Sequence, residues 1–242
     1  MSNRLKSNAY SAFLVSFVAL MGIVCLPLTL FGRNTARATV QLWARLSLKA
    51  LKAITGISHR IEGEENIPAS GALIAANHQS MWETIALYAL LPRPVMVFKQ
   101  ELTDIPVYGW WAKLAGNIHI DRGGGAKALR SMTRKAKLHT ESGDQVIIFP
   151  EGTRSRPGER RALQPGVAGI YAATGVPCVP AVHDSGYFWR HPGNEKVAGV
   201  ITLRFLPPIE PGLDRKCFLS ELAARLEETR PDVVDTRSVA NG

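Results

Sequence analysis

"GALIAANHQSMWETIALYALL", Gly71 to Leu91, is the stretch on which the fold turns. Its first part, "GALIAAN", is a short apolar run of the length of a buried strand, and Ser80 to Leu91 follows with helical spacing of apolar residues. Ser80 and Glu83 mark the start of that helix as a capping box, in which the serine accepts a backbone N–H and the glutamate reaches back to another. A strand, a tight turn and a helix make half of a βαβ unit. Working outward, "PVMVFK", "GNIHID", "DQVIIFP", "VPCVPAVH" and "VITLRFL" read as further strands. Helical patterns fall at 126–141, 166–174 and 216–228. The alternation predicts an α/β layer architecture.

His78 stands in the turn, five residues ahead of Glu83. Within one helix such residues point about 140° apart, but a histidine before the helix escapes that limit. Two readings compete for the carboxylate. In one, Glu83 only caps the helix. In the other it binds one ring nitrogen of His78, fixes the tautomer and stabilises the imidazolium formed when the other nitrogen takes a proton from a hydroxyl.

"FPEGTRS", Phe149 to Ser155, follows an apolar strand and turns at a glycine, placing Glu151, Gly152, Thr153 and Arg154 at a strand's carboxyl end, where ligands bind in open α/β sheets. Arg154 offers a planar fork matched to phosphate. Backbone N–H groups around Gly152 are candidate oxyanion donors. "GNIHIDRGGG" ends another strand with Arg122, a second candidate phosphate ligand.

Lys and Arg outnumber Asp and Glu by 29 to 20, an excess suited to anionic lipid, phosphorylated substrates or nucleic acid. No interleaved aromatic platform accompanies the cations, which argues against nucleic acid. Cys25, Cys178 and Cys217 are odd in number and widely spaced, so neither a disulfide framework nor a zinc site is expected. His119, and His183 with Asp184, lack metal-ligand spacing and read as core or loop residues.

From Ala9 to Phe31 the chain carries no charge and, as a helix, is long enough to cross a hydrocarbon core. The length of the run, and the cations Arg33, Arg37 and Arg45 after it, argue against a cleaved leader and for retention of the following chain on the cytoplasmic side. A simple span and a shallow hairpin bent at Pro27 both remain open. Between 34 and 55, Arg37, Gln41, Arg45, Lys49 and Lys52 share one helical arc opposite Val40, Trp43, Leu46 and Ile54. That pattern suits either a helix docked on the domain or, beside an apolar anchor, a helix lying on anionic lipid. The expected division is therefore a membrane segment and basic helix over 1–56, one domain over 57–230, and a disordered tail over 231–242.

Taken together, "NHQSMWE", "GNIHIDR", "FPEGTRS" and "VPCVPA", in that order between Gly71 and Val182, resemble the motif blocks of the glycerolipid acyltransferases, in particular the bacterial lysophosphatidic acid acyltransferases. The resemblance implies a mixed sheet flanked by helices, at the bacterial inner membrane. It implies acyl transfer from acyl-CoA or acyl carrier protein to the hydroxyl of lysophosphatidic acid, with no metal and no resident cofactor. His78 would be the general base supported by Glu83, and Lys99, Arg122, Glu151, Gly152, Thr153 and Arg154 would form the substrate site. One departure stands out: Glu83 occupies the position where the family more commonly has aspartate, adding a methylene before the carboxylate. Another lyso-lipid acceptor such as lyso-ornithine lipid, or a non-catalytic membrane-binding protein of the same fold, remains an alternative.

Overall fold

The structure is a computed structural model that describes residues 2–228. The tail expected to be disordered, 231–242, lies outside the described residues. In chain order the elements are α1 (Asn3–Val24), α2 (Arg33–Thr55), β1 (Ile57–Glu62), β2 (Ala72–Ala76), α3 (Trp82–Leu90), β3 (Pro94–Lys99), α4 (Tyr108–Leu114), β4 (Ile118–Ile120), α5 (Gly125–Glu141), β5 (Gln145–Ile148), α6 (Pro165–Thr174), β6 (Cys178–His183), α7 (Ser185–Phe188), β7 (Gly199–Phe205) and α8 (Arg215–Glu228).

The strands form one sheet in the order β1-β7-β6-β2-β5-β3-β4. All pairs are parallel except β6 with β7, so the sheet is mixed. Alternation along β2 feeds two cores. Ala72, Ile74 and Ala76 pack with residues of α1, α2 and α3 on one face, whereas Leu73 and Ala75 pack with α5, α6 and α8 on the other. This is the period-two geometry of a strand buried on both sides.

One relationship positions the site. Neighbouring strands β2 and β5 send the chain away in opposite directions, β2 through α3 to β3 and β5 through α6 to β6. A crevice opens at the carboxyl edge where such connections part.

The apolar N-terminal run ends its helix at Val24, and Pro27 lies in a 3₁₀ turn, Leu26–Phe31, that leads back into α2. α1 and α2 thus pack as a helical pair joined by this turn. α1 is long and apolar enough to cross a membrane, yet one side is docked on the protein: the Tyr10 hydroxyl donates to the Ser47 carbonyl and Trp111 Nε1 donates to the Gly22 carbonyl. Gly22 is required there, because a Cβ would lie 2.0 Å from Val107 Cγ1. Lys196, fully buried, sits 4.4 Å from the Trp189 ring centroid and bonds Ser11 and Asn194, tying α1 to the loop before β7. The outer face, with Val15, Leu20, Ile23 and Val24, stays exposed.

The basic arc of α2 departs from the lipid-facing reading. Arg37 is buried and bonds Asp144 through both terminal nitrogens, at 2.9 and 3.0 Å. Gln41 and Arg45 donate to the carbonyls of Leu91 and Ala89 at the end of α3. Orphan carbonyls at a helix C-terminus attract such donors, so Arg37, Gln41 and the Nε of Arg45 dock on the domain, while Arg45 as a whole stays exposed like Lys49 and Lys52.

Candidate active site

The turn between β2 and α3 is built around Glu83, which is fully buried. Its Oε1 accepts the backbone N–H groups of Gln79 and Ser80, each at 2.8 Å, and lies 2.7 Å from His78 Nδ1. Its Oε2 accepts from the hydroxyls of Ser80 at 2.7 Å and Ser185 at 2.8 Å. The glutamate half of the expected capping box and the histidine contact are therefore not alternatives, since one oxygen makes both. The serine half does not form, because the helix starts at Trp82 and the Ser80 hydroxyl accepts the Trp82 N–H instead of that of Glu83. Burial works against charge on Glu83, but the His183 and His78 imidazoles and the Ser80 N–H outweigh it and hold the carboxyl well below the usual carboxylate range.

An ionised carboxylate only accepts, so the proton between it and His78 belongs to Nδ1. In the neutral imidazole Nε2 then carries a lone pair. The His78 side chain is 15% exposed, and the Phe149 ring stacks on it at a centroid distance of 4.2 Å. Ser155 fixes the backbone by donating its N–H to the His78 carbonyl at 2.8 Å. A histidine with one nitrogen fixed, the ring stacked and the other nitrogen basic at a crevice can take a proton from a bound hydroxyl.

The sequence-predicted residues divide. Arg154 donates from Nε to the Ser80 carbonyl at 3.1 Å, which leaves its terminal nitrogens available. It lines an open depression of about 630 Å³ with Arg156, Arg161, Glu159 and His191. Three guanidinium groups face one carboxylate there, which favours an anion. Burial, Arg154 and His78 push the His191 imidazole below its ordinary value, which places His191 within electrostatic reach of the site. Lys99 and Arg122 are exposed at the ends of β3 and β4, on the same edge but outside this depression. Thr153 is exposed.

Two expectations need correction. Glu151 is buried, and its carboxylate accepts the His78 N–H at 3.2 Å. It holds the histidine turn, and its negative charge would repel a phosphate rather than ligate it. Gly152, at φ +73°, donates its N–H to the Phe149 carbonyl to close the turn and so has none to offer an oxyanion.

Sequence reasoning missed Ser185, His191, Arg156 and Arg161, because their importance depends on distant partners. His183 is a buried core residue. It bonds Asn77 through its backbone and through Nε2, stitching the ends of β2 and β6 together. Cys178 is buried, and burial pushes its thiol well above the ordinary value, so it is no nucleophile. No group of three or more His, Cys, Asp or Glu among the described residues could hold a metal ion.

Comparison with known proteins gives the family and the fold. The family model for acyltransferases matches residues 58–184. A 1-acyl-sn-glycerol-3-phosphate acyltransferase of Pseudomonas aeruginosa is 31% identical over 195 residues, covering 81% of this chain and 76% of the relative. The chain belongs to the acyltransferase family. A human relative, 1-acyl-sn-glycerol-3-phosphate acyltransferase alpha, is 29% identical to this acyltransferase over 202 residues, covering 82% of the chain and 70% of its own length. The crystal structure of the 1-acyl-sn-glycerophosphate (LPA) acyltransferase PlsC from Thermotoga maritima shares the fold. Its TM-score is 0.75 at 23% identity, over 95% of this acyltransferase and 97% of that chain.

Proposed function

We propose that this acyltransferase moves a fatty acyl group from a thioester, on coenzyme A or acyl carrier protein, to the free hydroxyl of lysophosphatidic acid. The observation that carries this reading is the pairing of His78 Nδ1 with a buried, ionised Glu83 beside the arginine-lined depression. That the Pseudomonas aeruginosa and human relatives are 1-acyl-sn-glycerol-3-phosphate acyltransferases supports the acceptor.

His78 Nε2 takes the hydroxyl proton as the alcohol oxygen attacks the thioester carbonyl, an effect worth about 10²- to 10⁴-fold. The C–S bond then breaks, the ester forms, and the imidazolium returns the proton to the departing thiolate. Arg154 and its neighbours hold the acceptor's phosphate and so restrict where the hydroxyl sits. Lys99 and Arg122 lie on the same edge, placed for a second anionic group such as the donor's phosphates. The exposed apolar face of α1 rests on the bilayer, and the cations near the segment favour the cytoplasmic side of a bacterial inner membrane.

The test is purified protein supplied with labelled acyl-CoA or acyl carrier protein and a panel of lyso-lipid acceptors. Transfer to lysophosphatidic acid, abolished in His78→Ala, is the expected result. Equal turnover of acceptors that lack a phosphate monoester would overturn the headgroup assignment, and lipid binding without turnover would overturn the catalytic one.

A further inference from the structure

At the far end of the sheet from His78, a second depression of about 410 Å³ lies where the chain enters α2. Its walls include Arg33, Asn34, Arg37, Arg93, Asp144 and Phe31. Arg93 and Asp144 precede β3 and β5, whereas His78 and Arg154 follow β2 and β5, so the two depressions sit at opposite ends of parallel strands.

Its charge is out of balance. Asp144 is the carboxylate on its wall, and it is already bonded by Arg37, by Arg93 at 3.0 Å and by His139 at 2.8 Å. Arg33, exposed, has no ion pair among the described residues and lies against Gly116, where a Cβ would come within 2.8 Å of its Cδ. The Nε of Arg37 is buried on this wall without a hydrogen-bond partner among the described residues. Three guanidinium groups thus face one carboxylate. The N-terminus of the 23-residue α2 adds to the excess, because its cap is Gly32, without a side chain, and no acidic residue stands in its first turn.

The surroundings identify the kind of anion. Leu30 and Phe31, which immediately precede the depression, are 87% and 77% exposed, and Leu26 and Leu28 of the same turn are exposed too. An apolar collar that continues into the outer face of α1 would meet acyl chains, while the guanidinium groups behind it would meet a phosphate.

We propose that the depression formed by Arg33, Arg93 and the N-terminus of α2 is a binding site for the phosphate of an anionic membrane phospholipid, separate from the acceptor site. It rests on the proposed membrane association and adds a headgroup-reading contact at the end of the hairpin opposite the catalytic edge. A lipid held there fixes how the hairpin sits on the leaflet. It thereby sets the height of the crevice above the acyl chains it draws from.

The test compares full-length wild type, Arg33→Gln and, as an equal loss of charge elsewhere, Lys137→Gln on α5. Binding is measured to phosphatidylcholine vesicles with and without phosphatidylglycerol, and again with inorganic phosphate added at constant ionic strength. The expected result is tighter binding to phosphatidylglycerol vesicles that falls about five-fold in Arg33→Gln, is unchanged in Lys137→Gln and resists inorganic phosphate. A thermal melt unchanged from wild type confirms that Arg33→Gln is folded. Equal weakening by both substitutions means delocalised attraction, and competition by inorganic phosphate means a site for the free ion; either overturns the proposal. Binding to both vesicle types with no effect of Arg33→Gln removes this site alone. Absence of vesicle binding by wild type removes the membrane reading and this site together, leaving the acyl-transfer assay to judge the chemistry.

Discussion

Glu83 Oε1 lies 2.7 Å from His78 Nδ1 while accepting the N–H groups of Gln79 and Ser80. Glu83→Gln therefore separates charge from architecture, since an amide oxygen in the same place keeps the cap bonds and the contact to the ring. Loss of the charge removes what stabilises the imidazolium. A fall in kcat of about 10²-fold or more is expected, with a melting temperature near that of wild type and substantial recovery in Glu83→Asp. Equal activity in Glu83→Gln would reduce Glu83 to a helix cap.

Ser185 donates to Glu83 Oε2 at 2.8 Å and lies 2.8 Å from the Ser80 hydroxyl. Removing that donor leaves a buried carboxylate short of a partner, at a cost of about 1–3 kcal/mol. Ser185→Ala should lower stability to denaturant by that amount while retaining more turnover than any His78 variant. A larger effect on kcat than on stability would instead bring Ser185 into the proton path.

The strand–turn–helix around His78 was legible because apolar runs and the Ser80–Glu83 spacing are local signals, although only the glutamate half of the expected capping box forms. β1, "ISHRIE", was not, because an edge strand that interleaves His59, Arg60 and Glu62 loses the apolar pattern. The site was legible only in its local parts. Ser185 reaches Glu83 from 102 residues away, and His191 enters from a loop that Lys196 anchors to α1. Arg37 shows the same limit from the other side. Helical spacing put it on an arc with solvent-facing lysines, and nothing local announced that Asp144, 107 residues on, would bury it.

Arg154 spends Nε on the Ser80 carbonyl and keeps its terminal nitrogens for a ligand. A lysine can supply charge but not both contacts. Arg154→Lys should raise KM for lysophosphatidic acid by about 10- to 100-fold, the worth of one charge-assisted hydrogen bond, and leave KM for the acyl donor within error. Parallel increases for both substrates would show that Arg154 shapes the crevice rather than binding the acceptor.

Arg37 and Asp144 join the hairpin to the domain through a buried ion pair shared with Arg93 and His139. Burial opposes charge on Asp144, but His139, Arg37 and Arg93 outweigh it and hold the carboxyl well below the usual carboxylate range. The unfolded chain then binds more protons than the folded one as pH falls. The stabilisation is fully present above the ordinary aspartate pKa and is lost as pH drops through the folded-state value. Arg37→Met removes one partner of a buried carboxylate that keeps Arg93 and His139, at a cost of about 1–3 kcal/mol near neutral pH. With the Asp144 pKa less depressed, acid unfolding of the variant should begin at a higher pH than in wild type. Denaturant titrations across the acid range check both effects, and coincident acid midpoints would show that this pair does not secure the hairpin.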